Sequence, residues 1–308
     1  MSKRLFQILL APVFVALGAA GMYTRDPDPL DAEAFEALYT TPAPLPAGPR
    51  HVFHIGHSLV GRDMPAMLAQ LAGEGHDYAS QLGWGATLKS HWDPDEPING
   101  FAEENAHDKY RDAHEAVESG DYDALVLTEM VEIKDAIAYF DSPRMLHNWA
   151  DKAQDFGLPV YFYETWHPLD TPEGWRMRLD RDLEMYWEGK IMRPALAMTD
   201  APAPIYLIPG GQVMAALSDA LSQRGPIGPL TCHRDLFSDD IHFNDYGAYL
   251  VALTHYAVLY QKSPVGLPHA LRRADGTAAD AVGPEAARLM QDTVWDVVTS
   301  LPRTGVRG

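Results

Sequence analysis

Cysteine is almost missing from this chain. Cys232 is the only one in 308 residues, so no disulfide can form within it. A catalytic thiol needs a depressed pKa and a nearby base. The adjacent His233 points away from Cys232 on an extended chain, so Cys232 reads as a plain thiol. Basic residues are scarce as well: 24 Lys and Arg face 43 Asp and Glu, a net charge of −19. Such a surface repels phosphate backbones and excludes broad docking on nucleic acid or anionic lipid. There is no phosphate-binding loop and no dinucleotide fingerprint. Metal-ligand patterns are lacking too. His51, His54 and His57 alternate faces on a strand, and Asp93, Asp95 and Glu96 lack the glycine and terminal glutamate of a calcium loop. Past the first 23 residues no apolar run is long enough to span a membrane.

That N-terminal stretch stands apart. Lys3 and Arg4 precede an apolar run from Leu5 to Tyr23, which reads as an export signal or an uncleaved inner-membrane anchor. Either one leaves the bulk of the chain periplasmic or secreted. Residues 24–49 are dense in proline around a short acidic helical patch and read as an extended linker. The globular domain is expected over residues 50–308.

Within it, short apolar runs alternate with helical patterns. Strands are expected at residues 51–56, 78–82, 123–128, 159–164 and 204–208. Between and after them, helices are expected from Asp63, over 101–119, from Ser142 to Phe156, around 173–190 and 212–223, then over 245–260 and 284–301. Strands separated by helices require crossover connections, hence an α/β fold with a mostly parallel sheet covered on both faces. In such sheets the functional residues lie just past the carboxyl ends of the strands.

Two of those positions carry chemistry. The first strand ends in Gly56-His57-Ser58-Leu59, with a serine in the turn before a helix, where outward N–H groups can stabilise an oxyanion. Taken alone, Ser58 reads as a helix cap. Val60 stands two residues after Ser58, where the nucleophile elbow of α/β-hydrolases needs glycine. At the far end of the sheet, Asp239-Asp240-Ile241-His242 precedes the long helix from Asp245. Asp239 can reach the His242 imidazole at this spacing and fix its tautomer, which frees the other ring nitrogen to take a proton from a serine.

Gly56, Ser58 and Leu59, with Asp239, His242 and Gly247, lie in the layout of the SGNH (GDSL-type) hydrolases, and residues 50–262 resemble that family. The resemblance implies a flavodoxin-like three-layer α/β/α fold and a serine esterase, often acting on acetyl esters of carbohydrates, with no cofactor. Ser58 is then the nucleophile, His242 the base and Asp239 its orienting group, with the amides of Ser58 and Gly85 as oxyanion donors. The family asparagine after the middle strand is missing, because Thr128-Glu129-Met130 stands there. The chain in this respect resembles a divergent branch. Glu129, Glu164 and Trp166, all just past strand ends, are the expected substrate contacts. An O-acetyltransferase using the same triad and a catalytically silent glycan-binding protein are the alternatives.

Overall fold

The computed structural model describes residues 27–308. The expected leader, residues 1–23, lies outside them. Among the described residues no helix is long and apolar enough to cross a membrane.

Five strands, β1 (His51–His57), β2 (Asp77–Gly83), β3 (Ala124–Leu127), β4 (Val160–Glu164) and β5 (Tyr206–Pro209), form one sheet in the order β2-β1-β3-β4-β5. Every pairing is parallel. β3, β4 and β5 are buried along their whole length, as a sheet covered on both faces requires. The helices are α1 (Ala32–Ala37), α2 (Asp63–Ala72), α3 (Leu88–Trp92), α4 (Phe101–Glu104), α5 (Ala113–Ser119), α6 (Ile133–Tyr139), α7 (Ser142–Asp155), α8 (Trp175–Asp182), α9 (Arg193–Ala197), α10 (Gly210–Arg224), α11 (Asp245–Tyr260) and α12 (Pro284–Ser300). A π-helical stretch, Leu183–Met192, joins α8 to α9. On one side of the sheet α11 packs on α2 and α12; on the other α7 packs on α3 and α5. This is the three-layer α/β/α architecture expected from the sequence. The strand order reverses between β1 and β3, which places the functional crevice at their carboxyl ends.

The short helices α3, α6 and α9 were not expected, and two expected stretches fold differently. The helix expected over 101–119 is broken into α4 and α5. Between them Asn105 accepts from Leu82 N–H (3.0 Å) and donates to Leu82 O (2.8 Å). Ser80 N–H then donates to Lys109 O (2.9 Å), and Arg111 N–H to Ser80 O (3.3 Å). The unsatisfied edge of β2 outcompetes the helix for these backbone groups. The proline-rich stretch, in turn, is packed rather than free. Phe35, Tyr39 and Ala43 are buried in the core, Tyr39 Oη donates to Ile205 O (2.8 Å), and Arg303 pairs with Glu36. Phe35 in α1 and Tyr39 just after it supply apolar surface that a proline count ignores.

Candidate active site

Ser58 follows the last residue of β1. Residues 58–61 form a turn closed by N–H groups of Val60 and Gly61 donating to His57 O (2.8 and 3.3 Å). Leu59 and Val60 are fully buried and anchor the turn, while Ser58 stays half-buried at the surface. Gly56 serves packing rather than the turn. A Cβ there would sit 2.6 Å from Thr128 Cγ2 and 2.8 Å from Val60 Cγ2, so only glycine lets β3 and the serine turn close together.

Asp239 and His242 share one loop. The Phe237 and Phe243 backbones pair across it, and Ser238 N–H donates to His242 O (2.8 Å). Asp239 Oδ1 accepts from Ile241 N–H (2.8 Å) and His242 N–H (2.7 Å), and Oδ2 lies 2.7 Å from His242 Nδ1. These bonds, the imidazole's first, hold the Asp239 carboxyl down at about 2. An ionised Asp239 only accepts, so the proton of the neutral ring sits on Nδ1 and Nε2 presents its lone pair. That nitrogen is 3.0 Å from Ser58 Oγ, and the hydroxyl donates to it. The structure thus brings together three side chains expected to act as a unit, from opposite ends of the chain.

Trp166 and the residues after it brace this loop. Trp166 Nε1–H donates to Ile241 O (2.9 Å), Leu169 N–H donates to Asp240 O (2.8 Å), and the indole packs on Phe237 and Phe243. Trp166 is therefore not a substrate contact: it is fully buried beneath the loop it holds. Trp166→Phe keeps the apolar body and removes the N–H, leaving Ile241 O without its donor, at a cost of about 1–3 kcal/mol. We expect kcat to fall roughly tenfold through loosened placement of His242, with KM little changed. Steady-state kinetics checks this, and a kcat within twofold of the parent would remove the bracing role.

The oxyanion side is sparser. His57 and Gly83 are register partners, so Ser58 and Gly85 lie just beyond the ends of adjacent strands. Gly85 adopts φ +58°, which favours glycine, and its exposed backbone has open space around it. Thr128 does not replace the missing asparagine: its buried hydroxyl donates to Tyr163 O (2.8 Å). Met130 N–H is likewise committed, to Glu129 Oε1 (2.8 Å).

The two glutamates expected at the substrate are both buried. Glu164 takes Gly211 N–H (2.8 Å) and Gln212 N–H (3.2 Å) on Oε2 and Gln212 Nε2–H (3.1 Å) on Oε1, which caps α10. Burial pushes its pKa up to about 8. Glu129 is enclosed behind the Gly85 loop, its Oε1 accepting from Leu88 N–H (3.2 Å). The tryptophan open at this edge is one the sequence did not single out. Trp84, beside Gly85, is 52% exposed, its Nε1–H donates to Glu104 Oε1 (2.7 Å), and its ring lies against Gly100, where a Cβ would come within 2.2 Å of it. An aromatic residue between two glycines on a loop at the sheet edge was the available signal.

A polar groove of about 630 Å³ opens beside the serine turn, lined by Gly61, Arg62, Tyr78, Glu104, His107 and Asp108 among others. The more apolar cavity, about 460 Å³ and lined by Leu158, Val160 and Ile205, lies at the opposite ends of β4 and β5. Among the described residues no cluster of three or more His, Cys, Asp or Glu side chains could hold a metal.

No protein-family model and no curated protein matches the chain. Among solved structures, TesA aligns with a TM-score of 0.36 and 17% identity over 67% of this chain and 96% of TesA. YxiM from Bacillus subtilis aligns with a TM-score of 0.39 and 15% identity over 68% of this chain and 55% of YxiM. At these scores neither likeness carries weight about activity. The parallel strand order shows the fold without them.

Proposed function

We propose that this protein is a serine ester hydrolase of the SGNH type. One observation carries the reading: Ser58 Oγ, His242 Nε2, His242 Nδ1 and Asp239 Oδ2 form a continuous hydrogen-bonded line of 3.0 and 2.7 Å at the carboxyl edge of the sheet. Ser58 Oγ attacks the acyl carbonyl while His242 Nε2 takes its proton. The tetrahedral oxyanion faces the N–H groups of Ser58 and Gly85. His242 then protonates the leaving alcohol, and water, deprotonated by His242, releases the acid and restores Ser58. No step needs a cofactor.

The substrate we propose is a small acyl ester, such as acetyl, on a hydroxyl-rich molecule such as a carbohydrate. Trp84 offers an open ring face braced by Glu104 and Gly100, and the adjoining groove is polar. Both features suit a sugar ring better than an alkyl chain. A site outside the cytoplasm agrees with the basic and apolar N-terminus. Labelling with a fluorophosphonate followed by mass mapping tests the reading: the adduct is expected on Ser58. An unlabelled Ser58 in a protein that still binds glycans would instead favour a silent binding role. For the substrate, Trp84→Ala is expected to raise KM about tenfold on an acetylated oligosaccharide and to leave p-nitrophenyl acetate turnover within twofold. Equal KM on the oligosaccharide would discard Trp84 as a sugar platform.

A further inference from the structure

Glu129 stands where the asparagine donor is missing, and its geometry gives it another task. Its backbone is fixed by His57, whose Nε2–H donates to Glu129 O (2.9 Å) while Nδ1 accepts from Leu59 N–H (3.3 Å). The bond ties the serine turn to the segment after β3. The side chain turns the other way. Oε1 accepts two backbone donors, Met130 N–H at 2.8 Å and Leu88 N–H at 3.2 Å. Leu88 is the first residue of α3, three positions beyond Gly85. Trp84 N–H, on the near side of Gly85, donates to Asn99 O (2.7 Å). The glycine loop is therefore held at both ends, and Glu129 is the far hold.

We propose that Glu129 is a positioning residue for the oxyanion hole: it supplies no donor to the substrate but fixes the Gly85 amide by binding Leu88 N–H. The proposal rests on the ester hydrolase reading and deepens it. With Thr128 Oγ1 and Met130 N–H committed elsewhere, the segment after β3 offers the oxyanion neither of these donors. The two remaining donors, Ser58 and Gly85, must then be placed more strictly. An oxyanion donor is worth about 10²–10³ in kcat, and a displacement of about 1 Å can cost about 10²-fold.

Protonation explains why a carboxyl is tolerated there. Glu129 is wholly buried, and among the described residues neither Oε2 nor Ser142 Oγ has a partner of good hydrogen-bond geometry, though the Ser142 hydroxyl still acts on the carboxyl. Burial pushes the carboxyl up to about 7, against the pull of the Met130 N–H, the Ser142 hydroxyl and the Leu88 N–H. Near neutral pH much of the population is thus protonated, with Oε1 still accepting. Glutamine reproduces that state, whereas aspartate keeps the acid but withdraws the acceptor by one methylene.

The pair Glu129→Gln and Glu129→Asp separates reach from charge. E129Q is expected to keep kcat on p-nitrophenyl acetate within about threefold of the parent and to keep the Leu88 amide protected in native-state hydrogen exchange. E129D is expected to lower kcat at least tenfold with KM within about threefold, and to speed Leu88 exchange at least tenfold. The proposal falls if E129D matches the parent in both measurements. It also falls if E129Q loses as much kcat as E129D with Leu88 still protected, since the proton rather than the hold would then matter. Should the parent neither hydrolyse the ester nor label at Ser58, the hydrolase reading fails. The exchange arm then still decides whether Glu129 holds the glycine loop.

Discussion

Ser58→Ala is expected to lower kcat for p-nitrophenyl acetate by about 10⁴–10⁶, with KM and thermal unfolding little changed. Ser58 is half-buried, and among the described residues its hydroxyl's side-chain partner is His242. Losing the hydroxyl therefore leaves no orphaned core group, and the fold has no reason to weaken. His242→Ala should match it, because without a base the serine hydroxyl is a weak nucleophile at neutral pH. Combining the two should cost little more than either alone, as for groups acting in one step. Asp239→Asn is a subtler probe. The amide can still pair with Nδ1, but by offering an N–H it favours the tautomer that protonates Nε2, with a loss of about 10⁴. A Ser58→Ala enzyme that retains more than a few per cent of the parental rate would end the hydrolase reading. Additive losses for Ser58→Ala and His242→Ala would show that the two do not act together.

The second large effect is acid unfolding. His54, His57, His91 and His255 are buried, and burial lowers all four: His57, His91 and His255 to about 4, and His54 well below its ordinary value. In the unfolded chain each titrates near 6.5. Their folded values are depressed, so between about 6.5 and 4 the unfolded state binds more protons and stability falls as pH falls. A drop from 6.5 to about 4 corresponds to roughly 3 kcal/mol per histidine. Three such groups are comparable with the whole stability of a typical domain, about 5–15 kcal/mol. Two carboxyls run the other way. Glu129 and Glu164, raised to about 7 and about 8, contribute most below about 4.5, and their contribution is lost as pH rises through 7 and 8. Four histidines outweigh two carboxyls on the acid side, so stability is expected to peak near pH 6–7 and to collapse before pH 4. His54 and His255 are the weakest point. Their rings are 5.9 Å apart, both nitrogens of His54 and Nε2 of His255 lack partners among the described residues, and protonating both would set two cations in the buried core. Circular dichroism during an acid titration measures the midpoint, and H54L/H255L should move it downward. A parent that stays folded with unchanged thermal stability from pH 6.5 to 4 would refute this.

Much of this architecture was legible because it is periodic. The five strands fall within two residues of the expected positions, since buried parallel strands are short continuous apolar runs bounded by turn residues. The Ser58, Asp239 and His242 constellation was legible because its parts lie at strand-to-helix junctions. What failed was direction. Glu164 ends β4 and Trp166 lies in the loop after it, yet one turns in to cap α10 and the other props the loop of His242. Position past a strand end does not specify which way a side chain points. Trp84 was passed over because an exposed aromatic and a core aromatic are the same letter. Helix 101–119 failed because a tertiary demand, the open edge of β2, overrode local propensity.

That covering strip carries a consequence for how the protein behaves in concentrated solution. Asn105 and the backbone of Lys109 and Arg111 occupy hydrogen-bonding groups of Leu82 and Ser80 that a strand from another molecule would otherwise seek. The strip belongs to no regular element, and its bonds to Leu82, Ser80 and Asp77 hold it against the edge. It acts as a stopper against polymerisation, and Asn105 is its pin: loosening that side chain would turn a self-contained sheet into one able to recruit its neighbours.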